Sequence, residues 1–352
     1  MTRPVFRKMM VSGWLGSGSG KPPITCVIAD GVLSLAVDVA KEVGLPVNIV
    51  QDSECFLLLG LFLYPSTRRS WRPLPFTGND LDVPINSIRG LDGFLQQIFQ
   101  AFVDVKTLSD ATLQFVVNEG QQNFRVDALI LNTFEELELP VLEHTPGKTP
   151  KLYAVGPLHA PLKSRSPHEM AFWSSSRNLW KEDRNCMGWL DNQPARSVVD
   201  VSFGGIVVKT ADRFLEFWHG LVNIGKHFVR AIRAGLIPSD GWALLDELMK
   251  ATEERARIVE WAPQEEVLDH PVIEGFLMHA GWNYVLEGVT ARVPMTCWPC
   301  YADHFLNARF VSEVWKVGLD MKDPKYDGDA VERWLGSYWM TERMSSGAQL
   351  KS

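Results

Sequence analysis

Concentrated positive charge is missing from the sequence. The 352 residues contain 35 Lys and Arg against 42 Asp and Glu, which gives a formal net charge of -7. Nucleic acids and anionic membranes attract clustered Lys and Arg, so the composition offers no electrostatic reason to bind either. We therefore expect small-molecule partners and no nucleic acid. A monomeric chain is a separate expectation.

Long apolar runs are also missing. The run from Cys55 to Tyr64 is only half the ~20 residues that a membrane-spanning helix requires, and a buried segment is the better interpretation. The first residues, from Thr2 to Lys8, lack the apolar core and the small-residue cleavage site of a secretory signal. These features predict a cytoplasmic protein without a membrane span.

Cysteine is scarce: five residues lie scattered along the chain, which is not the pattern of a disulfide framework. Cys297-Trp-Pro-Cys300 has the spacing of a redox or metal site. A zinc ion would need a second pair of ligands nearby, and Cys26, Cys55 and Cys186 offer none. We expect no metal, and redox use of this pair stays an open alternative.

The pattern of apolar segments predicts two α/β domains. Short β-branched runs alternate with longer amphipathic stretches, as in a parallel sheet wound with helices, and the length exceeds one ordinary domain. The predicted strands are Ile24–Ala29, Arg125–Leu131 and Arg196–Phe203, and the predicted helices are Leu33–Val43 and Thr210–Ile224. A Pro-, Gly- and Ser-rich stretch, residues 145–184, is predicted to be a linker. It divides an amino-terminal domain, residues 1–144, from a carboxy-terminal domain, residues 185–352.

Two stretches that look like ligand sites are set aside. Gly16–Lys21 is similar to a phosphate loop, but Lys21 is followed by Pro22 and not by Ser or Thr, so a flexible loop is predicted. Asp80-Leu-Asp82 has a metal-holding spacing, yet it lies among Pro, Gly and Asn, where Asp is ordinary in turns.

The segment from Ile273 to Thr290 carries the most informative pattern. Ile273–Met278 is predicted to be a strand, Ala280-Gly281 a turn, and Asn283–Thr290 a helix. The start of a helix exposes unpaired N–H groups and the positive end of the helix dipole, so it is a natural anion site. Gly281 would let a phosphate approach closely.

Two side chains extend this interpretation to a nucleotide. His279 would add a hydrogen-bond donor to the anion, and Glu287 would accept hydrogen bonds from sugar hydroxyls. Together they describe a nucleoside diphosphate. The alternative, in which His279 is a satisfied core residue and Asn283 a plain helix cap, stays open on these residues alone.

The surrounding sequence resembles the plant secondary-product glycosyltransferase box. Trp261-Ala-Pro-Gln264 and His279-Ala-Gly-Trp-Asn283 match its start and centre, and Trp261 to His304 spans 304 - 261 + 1 = 44 residues. Outside the box, Trp189–Gly204, Ala128–Glu135 and Val155–Leu158 are similar to further segments of the same family.

The resemblance implies two Rossmann-like domains that face a cleft (the GT-B arrangement), here with an incomplete amino domain. It implies an inverting, metal-independent transfer of a hexose from UDP-glucose or a related UDP-sugar to a hydroxyl of a small lipophilic metabolite. The UDP-sugar is a co-substrate, and no other cofactor is expected. The residues implied for UDP are Trp261, Ala262, Gln264, His279, Gly281, Trp282, Asn283, Tyr284, Glu287 and Gly205, and those for the sugar are Trp282, Asp303 and His304.

The family's general base is a His on an early loop, and an Asp assists it. Asp30 matches the position of that Asp. A helix cap before Val32 is the structural alternative for Asp30. The first His of this chain is His144, so the base is absent from the expected position. We therefore expect a chain truncated at its amino end. Truncation at the carboxy end is also expected, because residues 343–352 read as a polar tail where the family has closing helices. A catalytically inactive UDP-sugar-binding remnant is the alternative function.

Four further positions depart from the family pattern. Tyr284 adds bulk beside the phosphate site, Gly205 replaces a Ser, and Asp200 interrupts an apolar strand and must find a partner or be exposed. His304 stands where Gln is usual, and family members with His at this position often prefer UDP-galactose. Glucose is therefore the first expected sugar, with galactose the second. Val317–Pro324 resembles members that act on terpenoids and iridoids, so a terpenoid, iridoid or flavonoid acceptor is expected.

Overall fold

A computed structural model describes most of the predicted elements. The described residues are 3–11, 24–52, 84–85, 94–95, 111–137, 151–160, 181–204, 218–223, 225–231, 250, 252, 254–300 and 303–321. Contacts between Cα atoms divide the chain into an amino-terminal unit, Met1–Pro161, and a carboxy-terminal unit, Leu162–Ser352.

The amino-terminal unit is built on a parallel sheet. Its helices are α1 (Arg3–Val11), α2 (Ser34–Glu42) and α3 (Ala111–Gln122), and its strands are β1 (Val27–Asp30), β2 (Val47–Gln51), β3 (Pro84–Ile85), β4 (Phe94–Leu95), β5 (Ala128–Leu131) and β6 (Lys151–Ala154). Four parallel strands lie in the order β1-β2-β5-β6, while β3 and β4 form a separate antiparallel pair. Apolar residues of β1, β2, β5 and α2 form its core.

Strand β6 lies inside the stretch that the sequence predicted as a linker. Its four residues, Lys151–Ala154, pair in parallel with Ala128–Leu131 at the edge of the sheet. Edge strands are short and half exposed, and the alternating exposure of Lys-Leu-Tyr-Ala is what such a strand requires. The surrounding prolines and glycines hid this signal, so the linker prediction was wrong for these residues, while the domain boundaries stay predictions.

The carboxy-terminal unit contains a larger parallel sheet. Its helices are α4 (Asn185–Leu190), α5 (Gln264–Leu268), α6 (Trp282–Ala291) and α7 (His304–Arg309), which continues as a π-helix over Phe310–Val314, and its strands are β7 (Val198–Ser202), β8 (His227–Ala231), β9 (Ala256–Val259), β10 (Ile273–Met278), β11 (Met295–Cys297) and β12 (Gly318–Asp320). The strand order is β12-β11-β10-β7-β8-β9. Buried residues of β7, β8, β10, α4 and α5 form the core.

This order places a topological switch point between β7 and β10. From β7 the chain proceeds outward in one direction through β8 and β9, and from β10 in the other direction through β11 and β12. In open parallel sheets, ligands bind outside the carboxyl ends of the strands that flank such a reversal. The loops after Ser202 and Met278 are therefore the expected place for a site.

Several sequence predictions fall on residues outside the described ranges. They are the Cys55–Tyr64 segment, the Gly16–Lys21 loop, the Asp80-Leu-Asp82 stretch, and Gly205. Of the predicted helix Thr210–Ile224, residues 218–223 are described and are helical. Within the part of the chain that the structure covers, every helix is too short or too polar to cross a membrane.

Candidate functional site

The chain reverses direction after β10 through a tight corner. Ala280 adopts the left-handed conformation, with φ 64°, although it is fully buried. Gly281 follows in an extended conformation and is the N-cap of α6, and Val285 N donates a hydrogen bond to its carbonyl oxygen at 3.0 Å. The N–H groups of the first helical turn have no partner within the helix, so the corner offers donors and a positive dipole end to an anion.

Helix α6 begins one residue earlier than the sequence predicted. Its first helical residue is Trp282 and not Asn283, because Gly281 occupies the N-cap position without a side-chain hydrogen bond. Asn283 is exposed inside the first turn. The alternative in which Asn283 is a plain helix cap was therefore wrong.

His279 lies directly against this corner. Its Nε2 atom is 2.6 Å from the place that a Cβ atom on Gly281 would occupy, so glycine is required for the ring to reach this position. Burial lowers the pKa of His279 to about 4, and the backbone carbonyl of Ser202 opposes that change. The imidazole is therefore neutral near pH 7 and carries one N–H donor.

Two aromatic side chains hold the His279 ring in place. Tyr284 and His304 both meet it edge to face, with ring centroids 4.6 Å and 4.7 Å away. Tyr284 also stacks on Phe276, and its hydroxyl lies 3.8 Å from the place of a Cβ atom on Gly204. Tyr284 thus forms the side of the corner that faces β7.

His304 brings a second predicted ligand residue to the same place. It is 4% exposed, and its Nδ1 atom accepts a hydrogen bond from Cys300 N at 3.4 Å. Because Nδ1 accepts, the proton of the neutral ring resides on Nε2. Burial, followed by the charge of His279, lowers the pKa of His304 to about 3.

Asn307 is a residue of the site that the sequence predictions missed. It is 1% exposed, and its Nδ2 atom donates to the carbonyl oxygen of Ala280 at 2.9 Å and to Oδ2 of Asp303 at 2.8 Å. The Asn307 amide therefore links the Ala280-Gly281 corner to Asp303, a predicted sugar ligand. The available signal was spacing, since Asn307 follows Asp303 by four residues on one helix face.

Replacing Asn307 with alanine is expected to lower the free energy of unfolding by about 1–3 kcal/mol, because the buried Ala280 carbonyl loses its donor. The matched control is Asn192→Ala, whose Nδ2 also donates to a backbone carbonyl, that of Gly188, but at the exposed surface. Urea unfolding of both variants checks the prediction. Equal losses of unfolding free energy in the two variants would show that the buried Asn307 contact contributes no more to stability than the exposed Asn192 contact.

A second group of predicted residues lies between β9 and α5. Trp261 is half buried, and its carbonyl oxygen accepts a hydrogen bond from Asp183 N at 2.7 Å. Ala262 is 6% exposed, and Gln264 begins α5. The segment just before α4 therefore holds the loop that carries Trp261.

Asp200 is buried in the middle of β7, and the predicted need for a partner is confirmed. Its Oδ2 atom accepts a hydrogen bond from Nε2 of Gln264. Burial is the main cause that raises the pKa of Asp200 to about 7, and the hydrogen bond from Gln264 opposes it. The sequence did not show which residue would supply the partner.

The remaining predicted ligands are placed as follows. Glu287 is half buried on α6, and Trp282 is 4% exposed with its ring 6.3 Å from that of Trp315.

Asp30 belongs to the amino-terminal unit, where its Oδ1 atom accepts a hydrogen bond from Val32 N at 3.0 Å. This contact closes a local turn, whereas α2 begins at Ser34 with Leu33 as its N-cap and no side-chain cap, so the alternative in which Asp30 caps the helix was wrong.

Cys297 and Cys300 are not arranged for redox chemistry. Cys297 is fully buried, and burial followed by the charge of Asp320 raises the pKa of its thiol well above the usual value. Cys300 donates its S–H to the carbonyl oxygen of Trp298. A reactive cysteine needs an accessible thiolate, so the structure disfavours the redox alternative.

Among the described residues, His, Cys, Asp and Glu form no group of three or more that could hold a metal ion.

Comparisons with known proteins agree with this arrangement. Residues 170–323 match the model of the UDP-glucoronosyl and UDP-glucosyl transferase family. The chain is 44% identical over 327 residues to a 7-deoxyloganetic acid glucosyltransferase of Catharanthus roseus, covering 92% of this chain and 68% of that protein. It is 40% identical to a myricetin 3-O-rhamnoside 1,2-glucosyltransferase of Crocosmia x crocosmiiflora, covering 86% and 62%.

Solved structures show the same fold. The crystal structure of Medicago truncatula UGT71G1, complexed with UDP-glucose, aligns with a TM-score of 0.71 and 27% identity. The alignment covers 95% of this chain and 69% of that one.

Proposed function

Because the chain belongs to the plant UDP-glycosyltransferase family, we propose that it transfers a hexose from a UDP-sugar to a hydroxyl of a small lipophilic metabolite, with inversion at the anomeric carbon. The observation that carries the proposal is the corner Ala280-Gly281 at the switch point between β7 and β10. The proposal extends to the whole reaction, although the chain spans 62–68% of the lengths of the two curated relatives.

The corner would stabilise the leaving group. When the bond between the sugar and UDP breaks, negative charge develops on the diphosphate. The first-turn N–H groups of α6 would face that charge, and pre-oriented donors stabilise developing charge without rearrangement. His279 lies beside Gly281 and would border the bound diphosphate.

The nucleoside would lie on the loop between β9 and α5. Trp261 would stack on uracil, with Ala262 and Gln264 alongside, and Glu287 would accept hydrogen bonds from the ribose hydroxyls. The half-buried state of Trp261 supports this proposal, because a stacking ring needs one accessible face.

Replacing Trp261 with alanine is expected to weaken UDP binding by about 10- to 100-fold, because stacking of a base on an aromatic ring contributes about 1–3 kcal/mol. Trp261→Phe retains an aromatic face and should keep most of the affinity. Isothermal titration calorimetry with UDP measures both variants. An alanine variant that binds as tightly as the native chain would remove Trp261 from the site.

The transferred sugar would lie near Asp303 and His304, with Trp282 beside them. Glucose is the first choice and galactose the second. His304 supports a selective site, because it is 4% exposed and its ring is held by the hydrogen bond from Cys300 N and by the edge-to-face contact with His279.

His304→Gln is expected to increase the preference for UDP-glucose over UDP-galactose by about 10-fold in kcat/KM, since an amide presents both a donor and an acceptor. Competition between the two donors with one acceptor gives the ratio directly. His270→Gln is the matched control, because that ring pairs with Asp191 near the surface. A ratio unchanged by His304→Gln would contradict this role.

The proposed acceptor is a terpenoid, an iridoid or a flavonoid alcohol. The two curated relatives are named for an iridoid acid and for a flavonoid rhamnoside, which supports both classes. Asp30 is proposed as the carboxylate that orients the general base, and no described residue of this chain is assigned as that base. A cytoplasmic location and a monomeric state stay predictions.

Product analysis tests the proposal. The protein is incubated with UDP-glucose or UDP-galactose and a panel of terpenols, iridoids and flavonols, and glycosides are detected by mass spectrometry. The expected result is a β-linked glycoside whose formation is lost on omission of the donor. UDP binding without any product would favour the inactive remnant, an alternative that finds no support in the relatives.

A further inference from the structure

Asp200 is a buried carboxyl group that the proposed chemistry does not use. It lies at the centre of β7, is 2% exposed, and its neighbours in register are Val229 on β8 and Phe276 on β10. Side chains in register on adjacent parallel strands point to the same face of a sheet, so Asp200 lies among apolar groups. A carboxyl group in such a place is costly unless it makes a specific contact.

That contact is Gln264, a predicted ligand of the nucleoside. Gln264 is half buried at the start of α5, and its Nε2 atom donates to Oδ2 of Asp200. Two residues of the same helix, Val267 and Leu268, are buried in the core, which fixes the helix and the root of the Gln264 side chain. Asp200 therefore determines how the amide is oriented.

The protonation state of Asp200 determines which end of the amide it can hold. A carboxylate only accepts hydrogen bonds, so it holds the NH₂ end of Gln264 and leaves the amide oxygen free to accept. A protonated carboxyl can donate to the amide oxygen, which leaves the NH₂ group free to donate. Burial raises the pKa of Asp200 to about 7, so both states are accessible near neutral pH.

We propose that Asp200 is a positioning residue for the donor nucleotide: it orients the Gln264 amide toward the nucleoside, and a proton on Asp200 exchanges the amide end that faces the ligand. This inference rests on the proposed function, in which Gln264 lies beside the uridine. The carboxylate state presents the amide oxygen, which suits the donors of the nucleoside, namely the ribose hydroxyls and uracil N3–H. Binding of UDP therefore favours the ionised form.

Other charged groups near Asp200 are few among the described residues. The thiol of Cys186 on α4 is close enough that the charges of Asp183 and Asp200 raise its pKa, after burial as the main cause, while Arg257 on β9 acts in the opposite sense. On α5, Glu266 pairs with Arg184. On β8, Arg230 follows Val229 by one residue and therefore points to the opposite face of the sheet, over the ring of Phe203.

A double-mutant cycle over pH tests the proposal. UDP affinity is measured by calorimetry at about pH 6 and about pH 8.5 for the native chain, Asp200→Asn, Gln264→Ala and the double variant. Asparagine keeps the size of the side chain and cannot ionise. The exposed Glu254→Gln serves as the control for loss of one negative charge. Thermal unfolding confirms that each variant is folded.

The compared quantity is the ratio of the UDP affinity of the native chain to that of Asp200→Asn. This ratio is expected to be at least about 3-fold larger at the higher pH than at the lower pH. This division cancels the titration of the phosphates of UDP. In the Gln264→Ala background, Asp200→Asn should have no effect at either pH. A ratio that does not change with pH, or an undiminished effect of Asp200→Asn without Gln264, would overturn the proposal.

Two further outcomes are distinguishable. If Asp200→Asn does not fold, the test uses the ratio of the UDP affinity of the native chain to that of Gln264→Ala. A rise of this ratio by about 3-fold from the lower to the higher pH supports the proposal, and a constant ratio overturns it. If the folded native chain binds no UDP at either pH, the proposed function itself has failed, and this inference fails with it.

Discussion

Replacing Gly281 with alanine is expected to weaken UDP binding by about 10- to 100-fold, because the methyl group would keep the phosphate from hydrogen bonds to the corner, and a hydrogen bond to a charged group contributes about 1.5–3 kcal/mol. The added Cβ atom would lie 2.6 Å from Nε2 of His279. The ring cannot move aside freely, since Tyr284 and His304 meet it edge to face. The methyl group would also occupy the point of closest approach for a phosphate oxygen.

The backbone of Gly281 makes this test specific. Its φ of -64° is one that alanine adopts without strain, so the corner itself should persist in the variant. The matched control is Gly188→Ala on α4, where an added Cβ atom has no neighbour within 4 Å. Calorimetry with UDP on both variants, with circular dichroism as the check on folding, measures the effect. Equal affinities for the two variants would show that the diphosphate does not approach Gly281.

Replacing Asp200 with asparagine is expected to stabilise the protein by about 3–5 kcal/mol at pH 8 and hardly at all at pH 4, because each unit of pKa change corresponds to about 1.4 kcal/mol. Burial raises the pKa of Asp200 from its ordinary value of 3.8 to about 7. Asparagine keeps an oxygen that can accept from Gln264 and carries no charge to bury.

The sign follows from where the proton binds more tightly. The folded chain holds the Asp200 proton better than the unfolded chain does, so its contribution to stability is complete below pH 3.8 and is lost as the pH rises through about 7. The variant has no such proton. The difference in unfolding free energy should therefore grow between these two values and then remain constant.

Urea unfolding of the native chain and the variant across this pH range measures that difference. Other titrating groups, including the buried His279 and His304, are common to both proteins and cancel. The exposed Glu254→Gln variant controls for the change in net charge. A difference that stays constant over the whole range would contradict a buried, titrating Asp200.

The strand and corner of the site could be predicted because their signals are local. Ile273–Met278 forms a strand with the predicted bounds, since an apolar run ends at the polar and glycine residues of the corner. The strand predicted at Ile24 begins only at Val27, because its ladder starts where Val27 N pairs with the carbonyl oxygen of Pro46. Pro46 has no N–H group to extend the pairing further.

The contacts that organise the site could not be predicted in the same way. Asp200 and Gln264 are 64 residues apart, and their pairing depends on the order of β7 and β9 in the sheet. The sequence showed that Asp200 needs a partner, but many polar residues could have met that need. Asn307 was missed because its Ala280 contact depends on how α7 packs against the corner.

The most direct test of the central claim compares UDP with uridine in calorimetric titrations of the native chain. A corner that presents main-chain N–H groups to a diphosphate predicts that UDP binds at least about 10-fold more tightly than uridine, because charge-assisted hydrogen bonds to the phosphates contribute most of the difference. A folded protein that binds both equally, or that binds no UDP at millimolar concentration, would contradict the claim.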